Sequence, residues 1–346
     1  GSGGLASNYT LVGGTHQVDI TKAPVTIDLS RQYDGSTNAS SNATDSNITE
    51  TYNGLIGTET LTLSGQGSVS SKNVSGSSQA VTLGTLAIGD QSGATAASGG
   101  LASNYNFTSS TLTINEKVLN SSSSRIYDAT TSALASDITL TNEISGETLV
   151  LGGAAATSSA NTATYSITNL SGITISDEVG ANSSSGALAS NYTLTGGTHS
   201  FTINPKAVDI VGSREYDGTT NIVASDISDI TGTVNSETLT MSSGLGTTSS
   251  ENVGTYNLTD TSEGSLTLGN GTGLASNYTL TGGTQTYTIE KRILNSSGSK
   301  TYDANTNALA ADITLSNLVS GETLNHSGTA TLSSANAGSY TISNLT

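Results

Sequence analysis

Short runs in which every second residue is apolar recur along the whole chain. Examples are Pro24-Val25-Thr26-Ile27-Asp28-Leu29, Glu59-Thr60-Leu61-Thr62-Leu63 and Phe201-Thr202-Ile203, each bounded by Gly, Asn or Asp. A period of two is the mark of a half-buried β-strand. No stretch carries an amphipathic helical period, so helix is expected for a few turns at most, with residues 133–137 the best place for one. About seven strands fall between successive landmarks, which points to two small antiparallel sheets packed as a sandwich.

The landmarks repeat. Leu-Ala-Ser-Asn-Tyr begins at Leu5, Leu101, Leu188 and Leu274, a spacing that is domain-sized instead of solenoid-sized. The predicted fold is therefore all-β: a tandem array of small antiparallel β-sandwich, immunoglobulin-like domains of about 87 residues, stacked end to end. Residues 1–20 hold only the closing strands of a preceding repeat, 21–115 form repeat 1, 116–204 repeat 2, 205–289 repeat 3 and 290–346 a truncated repeat 4. Repeats 2 and 4 align without a gap from Val118 to Leu170 against Ile293 to Leu345, whereas 1 and 3 share Tyr-Asp-Gly where 2 and 4 have Tyr-Asp-Ala; a two-repeat block has been duplicated. One to three residues separate the strands at each junction, too few for a flexible linker. The chain reads as a window on a longer polymer, so that repeat 4 is completed either by continuation or by strand donation from a neighbouring molecule.

Composition narrows the function. Only 33% of residues are hydrophobic, Trp is absent, and Gly numbers 40, so each core is thin. A formal charge of -17 argues against nucleic acid, which needs basic patches. Without Cys there is neither a disulfide framework nor a thiol nucleophile. No apolar run approaches the ~18 residues of a spanning helix, so no membrane insertion is expected.

Eight of the ten basic residues fall at two repeat-locked places. Lys22, Lys117, Lys206 and Lys291 stand at the junctions; Arg31, Arg125, Arg214 and Lys300 stand two residues before Tyr33, Tyr127, Tyr216 and Tyr302. That separation places cation and Tyr on one face of a strand, with Asp34, Asp128, Asp217 or Asp303 within reach. The expected arrangement is a turn clasp, the Asp capping turn amides and the cation covering the Tyr ring. A sharper reading is an intramolecular isopeptide bond within each trio: Lys22, Glu59, Asn73; Lys117, Glu147, Asn161; Lys206, Glu237, Asn252; and Lys291, Glu322, Asn336. It needs a desolvated Lys, and a thin core offers little desolvation; the bland alternative is a solvated Lys with its Asn in a turn. No cofactor is expected. Asp226 with Asp229, or Asp177 with Glu178, are close enough in sequence to share Ca²⁺, but neither loop fits the acidic calcium signature. His16, His199 and His326 assemble no hydrolase triad or zinc set, and the chain is expected not to be an enzyme.

Tyr-Asp-Gly-Thr-Thr at 216–220, Glu-Asn-Val-Gly-Thr at 251–255 and Asn-Tyr-Thr-Leu-Thr at 191–195 and 277–281 recur in one order through the repeats. The set resembles the YDG-motif and related mostly-beta, glycine-rich repeat domains of large bacterial surface adhesins. The departures are Tyr-Asp-Ala at two turns and the degenerate Asn73-Val74-Ser75 and Asn161-Thr162-Ala163. The resemblance implies an extracellular or cell-surface location and a non-catalytic stalk or filament in a secreted adhesin. Its partners would be further copies of the same repeats, in the parent chain or in neighbouring molecules. The alternative is a multivalent adhesive module binding glycans, cell surfaces or sister filaments, and a glycan or cell-surface ligand elsewhere in the parent protein fits either reading.

Overall fold

The computed structural model describes residues 3–40, 48–95, 99–182, 185–259 and 263–342. It divides into two compact units, one of residues 1–123, 132–157 and 165–201, the other of residues 124–131, 158–164 and 202–346. The division runs through repeat 2, whose turn at 124–131 and late segment at 158–164 belong with repeats 3 and 4.

In the first unit, repeat 1 is built on the opening strand Ala23–Gln32, which alternates Val25, Ile27, Leu29 and Arg31 inward. It pairs antiparallel with Thr49–Asn53 on one side and parallel with the closing strand Tyr105–Asn115 on the other. Gln79–Ala80 pairs antiparallel with the far edge of the closing strand. Two short antiparallel pairs, Asn38–Ser40 with Gln66–Ser68 and Thr62–Ser64 with Ala87–Gly89, supply the facing layer. Ala39, Leu63 and Leu86 of that layer pack against Ile27, Leu29, Leu112 and Ile114. From repeat 2 the unit includes the three-stranded antiparallel sheet Ser132–Leu134, Val150–Ala156 and Ile173–Ser176. Its core does not stop at the repeat boundary, because Tyr33 of repeat 1 and Leu119, Leu149 and Tyr192 of repeat 2 belong to the same buried cluster.

The second unit repeats the plan. Asp209–Glu215 lies between antiparallel Ile227–Thr231 and parallel Gln285–Glu290, which in turn pairs antiparallel with Gly254–Leu258. Asn221–Val223 with Leu245–Thr247, and Leu239–Ser243 with Thr267–Asn270, make the second layer. Repeat 4 has its opening strand Asn295–Gly298 against Ile313–Ser316, and Asn307–Leu309 against Thr329–Thr331.

The all-β repeat architecture is as the alternation predicts, and the described residues hold only 3₁₀ turns as helix, one of them Ala135–Asp137. One feature differs from a purely antiparallel reading. The opening and closing strands of repeats 1 and 3 are parallel neighbours, a direction that period-two alternation does not encode. Residues 3–20 contain the 3₁₀ turn Ala6–Asn8 and no strand, and Leu11, Val18 and Ile20 are exposed.

Candidate functional site

The Tyr-Asp turns form one device four times over. In repeat 1 the Arg31 guanidinium pairs with Asp34 and donates to the carbonyls of Gln32 (3.1 Å) and Ser36 (2.7 Å), while Asp34 accepts the Ser36 amide at 2.8 Å. Arg125 pairs with Asp128 and donates to Thr130 O at 2.5 Å, and Arg214 pairs with Asp217 and donates to Thr219 O at 2.5 Å. Lys300 sits 2.8 Å from Asp303 and donates to Asn305 O at 3.2 Å. The residue after each Asp has positive φ: Gly35 +78°, Ala129 +62°, Gly218 +74° and Ala304 +60°. Tyr-Asp-Ala therefore makes the same turn as Tyr-Asp-Gly, at the ~1–2 kcal/mol that an L-residue costs there.

Burial works to raise the Asp128 carboxyl, but the Arg125 guanidinium and the Thr130 donors outweigh it and hold it below the ordinary carboxylate value. Asp217 is lowered in the same balance, burial opposing it and Thr219 and Arg214 prevailing. The expected cover of the Tyr ring by its own cation gives way to this geometry. The guanidinium turns to the Asp and the turn carbonyls because they offer charge-assisted hydrogen bonds. The one cation set over a turn Tyr among the described residues is Lys72, 6.0 Å from the Tyr33 ring centre.

The turn amide is anchored at the end of the closing strand of its own repeat or the residue that follows it: Tyr33 N donates to Asn115 O, Tyr127 N to Asn204 O and Tyr216 N to Glu290 O, at 2.8–2.9 Å. The turn side chain points the other way, into the next repeat. Tyr33 donates to Glu147 at 2.6 Å, and Tyr192, from the closing segment of repeat 2, donates to the other oxygen of the same carboxylate at 2.6 Å. The two rings meet edge to face, 5.4 Å apart and at 76°. Lys72 completes the site 3.2 Å from Glu147. Beside it Asn191 donates to the Asn73 side-chain carbonyl and accepts the Val74 amide, both at 2.9 Å.

The second unit holds the same tyrosine, glutamate and asparagine arrangement, with Ala160 where repeat 1 has Lys72. Tyr127 donates to Glu237 at 2.9 Å and Tyr278 at 2.5 Å, with the rings 5.4 Å apart at 78°. Asn277 donates to Asn161 and accepts the Thr162 amide, both at 2.9 Å. At the third junction Tyr216 donates to Glu322, and Arg292 donates to Tyr216 O at 3.3 Å. Burial first, then the bond to Glu147, raises the hydroxyls of Tyr33 and Tyr192 well above the ordinary tyrosine range. Burial, then the bond to Glu237, pushes Tyr278 up to about 12.

The isopeptide trios are distributed to other tasks. Glu59 accepts from Tyr105, Glu147 and Glu237 each accept from two tyrosines, and Glu322 accepts from Tyr216. Asn73 and Asn161 bond the asparagines of the following repeat. Asn252 and Asn336 have their amides on Ser250 and Ser334 and their carbonyls on Tyr256 and Tyr340. No ion pair joins Lys22, Lys117, Lys206 or Lys291 to its glutamate among the described residues. Of the carboxylates in the two candidate calcium pairs, Asp226 accepts the Val223 amide and the Tyr287 hydroxyl, Asp177 the Ala189 amide and Glu178 the Ala187 amide. His199 is buried between Ser121 Oγ (3.0 Å) and Leu194 O (2.9 Å), and Gln285 replaces it in repeat 3, bonding Leu280 O at 2.8 Å. His326 lies near the carbonyls of Ala310 and Ile313.

Two functional residues escaped sequence reasoning, Lys72 and Arg292. They are the two cations outside the repeat-locked positions, and that irregularity was the available signal.

The structure is an all-β array of small repeats whose junctions are joined by tyrosine–glutamate and asparagine–asparagine hydrogen bonds. The YDG domain family matches residues 15–114, 200–289 and 284–346, well over half of the sequence, and the chain belongs to that family. No curated protein and no solved structure matches it.

Proposed function

We propose that these repeats are the non-catalytic shaft of a secreted bacterial surface adhesin or extracellular fibre, in which the junctions are the working parts. The observation that carries this reading is Glu147, which accepts hydroxyls from two successive repeats at 2.6 Å each while the core continues across the boundary. A linker with one to three residues limits swinging, and a buried, hydrogen-bonded junction resists bending further. Its recurrence at Glu237 supports a role for the array as a whole over a role for any single repeat. The extracellular setting and the adhesin context rest on the resemblance of the repeat motifs to those of bacterial surface adhesins.

Small-angle scattering of the isolated chain tests the reading. A shaft gives a radius of gyration well beyond the ~20 Å of a 346-residue globule, and a value near that figure overturns it. Binding of the chain to a glycan array would favour the adhesive-module reading instead.

A further inference from the structure

In repeats 1 and 3 the chain enters through the opening strand and leaves through the closing strand, so tension along the chain reaches both strands directly. The opening strand of repeat 1, Ala23–Gln32, lies parallel to its closing strand, Tyr105–Asn115, in register from Ala23 opposite Tyr105 to Gln32 opposite Asn115 with one extra residue, Thr108. Because the strands are parallel, the entry at Ala23 and the exit at Asn115 stand at opposite ends of one ladder. Repeat 3 has the same layout, Lys206–Ala207 and Asp209–Glu215 lying parallel to Tyr278–Thr279 and Gln285–Glu290.

We propose that the paired opening and closing strands of a repeat are a tension clamp: pulling the chain from both sides slides one strand along the other and loads the whole ladder at once. This deepens the shaft reading, on which its biological sense rests, but the clamp is a property of single repeats and is measured on them. A parallel pair spaces its bonds evenly, and sliding strains them together, whereas drawing the two strands apart from one end breaks them singly. No detour spares the ladder. Thr49–Asn53 and Gln79–Ala80 flank the pair in repeat 1, but each is bonded to only one of the two loaded strands, so entry and exit separate only when those two strands part.

Side chains reinforce the ladder in the direction of load. In repeat 1 Ser110 donates to Ile27 O at 2.7 Å, Thr111 to Asp28 at 2.7 Å and Asn115 to Ser30 at 3.2 Å, each from the closing to the opening strand. Ile27, Leu29, Leu112 and Ile114 are buried beside these bonds, and a hydrogen bond shielded from water is electrostatically stronger than an exposed one. Repeat 3 meets the same demand differently. Its closing strand is interrupted between Thr279 and Gln285, and the buried Gln285 side chain crosses the gap. Its carbonyl accepts the Ile210 amide at 2.7 Å, and its amide donates to Val208 O at 3.0 Å and to Leu280 O at 2.8 Å. Gln285 is the clip through which two short ladders carry load as one.

The chain has no Cys, so paired cysteines give defined handles for single-molecule pulling of the full chain. Held at Lys22→Cys and Glu116→Cys, repeat 1 is loaded in shear; held at Gln32→Cys and Glu116→Cys, the same ladder is peeled from one end, and all three positions are exposed. At one loading rate the shear geometry should need a several-fold higher force, since forced unfolding is governed by the unfolding barrier and the handles decide which barrier is crossed. In repeat 3, Gln285→Leu should lower the shear force between Pro205→Cys and Lys291→Cys. It should leave the peeling force between Glu215→Cys and Lys291→Cys unchanged, because peeling begins at the far end of the ladder from Gln285. A side chain that only stabilised the fold would lower both. Equal forces in the two geometries of repeat 1, or equal losses in the two geometries of repeat 3, overturn the proposal. A scattering radius near that of a globule would instead overturn the shaft reading and leave these forces in place.

Discussion

Replacing Glu147 by Ala is the most direct test of the junction. The side chain is 8% exposed and accepts two tyrosine hydroxyls, with Lys72 3.2 Å away. Removing it strands two largely buried donors, each worth ~1–3 kcal/mol, and leaves a half-buried ammonium without its counter-charge. The expected loss is about 3–5 kcal/mol, the range seen when one member of a buried pair is deleted. Glu59→Ala, which strands Tyr105 alone, should cost about 1–2 kcal/mol. Because a repeat array melts as coupled local units instead of in one transition, the suitable assay is hydrogen exchange followed by mass spectrometry, read repeat by repeat. Exchange should rise around Glu147 and also in repeat 1, over residues 31–36 and 72–74. A double-mutant cycle of Tyr33→Phe with Glu147→Gln should give a coupling energy on the order of 1 kcal/mol. If Glu147→Ala cost no more than Glu59→Ala, or if the rise stayed within repeat 2, the carboxylate would be a local strut and the junction argument would fail.

Gly35→Ala should destabilise by ~1–2 kcal/mol, since φ there is +78° and the new Cβ would lie 3.0 Å from Ile144 Cγ2; an unchanged melting curve would contradict it. At high pH the junctions should fail first. Tyr278 ionises near 12 in the folded chain against 10.0 ordinarily, so over that interval the folded state holds more protons and stability falls as pH rises, being fully present below 10. Ultraviolet titration in which all 13 tyrosines ionise together near 10 would refute this.

The strands and repeat boundaries could be read from the sequence because alternation and the Leu-Ala-Ser-Asn-Tyr landmark recur together. The turn residues could be read for the same reason: four copies separate a fixed Arg or Lys, Tyr and Asp from accident. What each residue touches could not. Tyr33 finds Glu147 across 114 positions, a distance at which spacing within one repeat carries no information. The late Asn and the Glu recur in every repeat, but recurrence alone does not say that Asn73 bonds the next repeat's Asn191. Parallel pairing of the opening and closing strands stayed hidden because alternation fixes which face is buried and not which way the strand runs.

The alternation of repeat types has its own physical logic. One closing-strand position is polar and buried in three repeats, and each solves it differently. Ser110 donates to Ile27 O at 2.7 Å, His199 meets Ser121, and Gln285 takes the Ile210 amide at 2.7 Å. Ser110 and Gln285 use backbone partners that any opening strand offers, but His199 seated on an opening strand that carries Ile in place of Ser121 loses its side-chain partner, at ~1–3 kcal/mol. Swapped pairing is a characteristic failure of tandem repeats, and adjacent repeats are most exposed to it because the tether keeps their mutual concentration high. Ile27, Ser121, Ile210 and Ser296 alternate along the chain, so the mismatch falls between nearest neighbours. Ser121→Ile combined with His199→Gln would give repeat 2 the pairing of repeat 3. Folded stability should change little, since a satisfied pair replaces a satisfied pair. The yield of monomer on refolding from denaturant should drop, because repeats 1, 2 and 3 would then accept one another's closing strands. Refolding as efficient as that of the parent chain would show that the alternation does not guard the pairing.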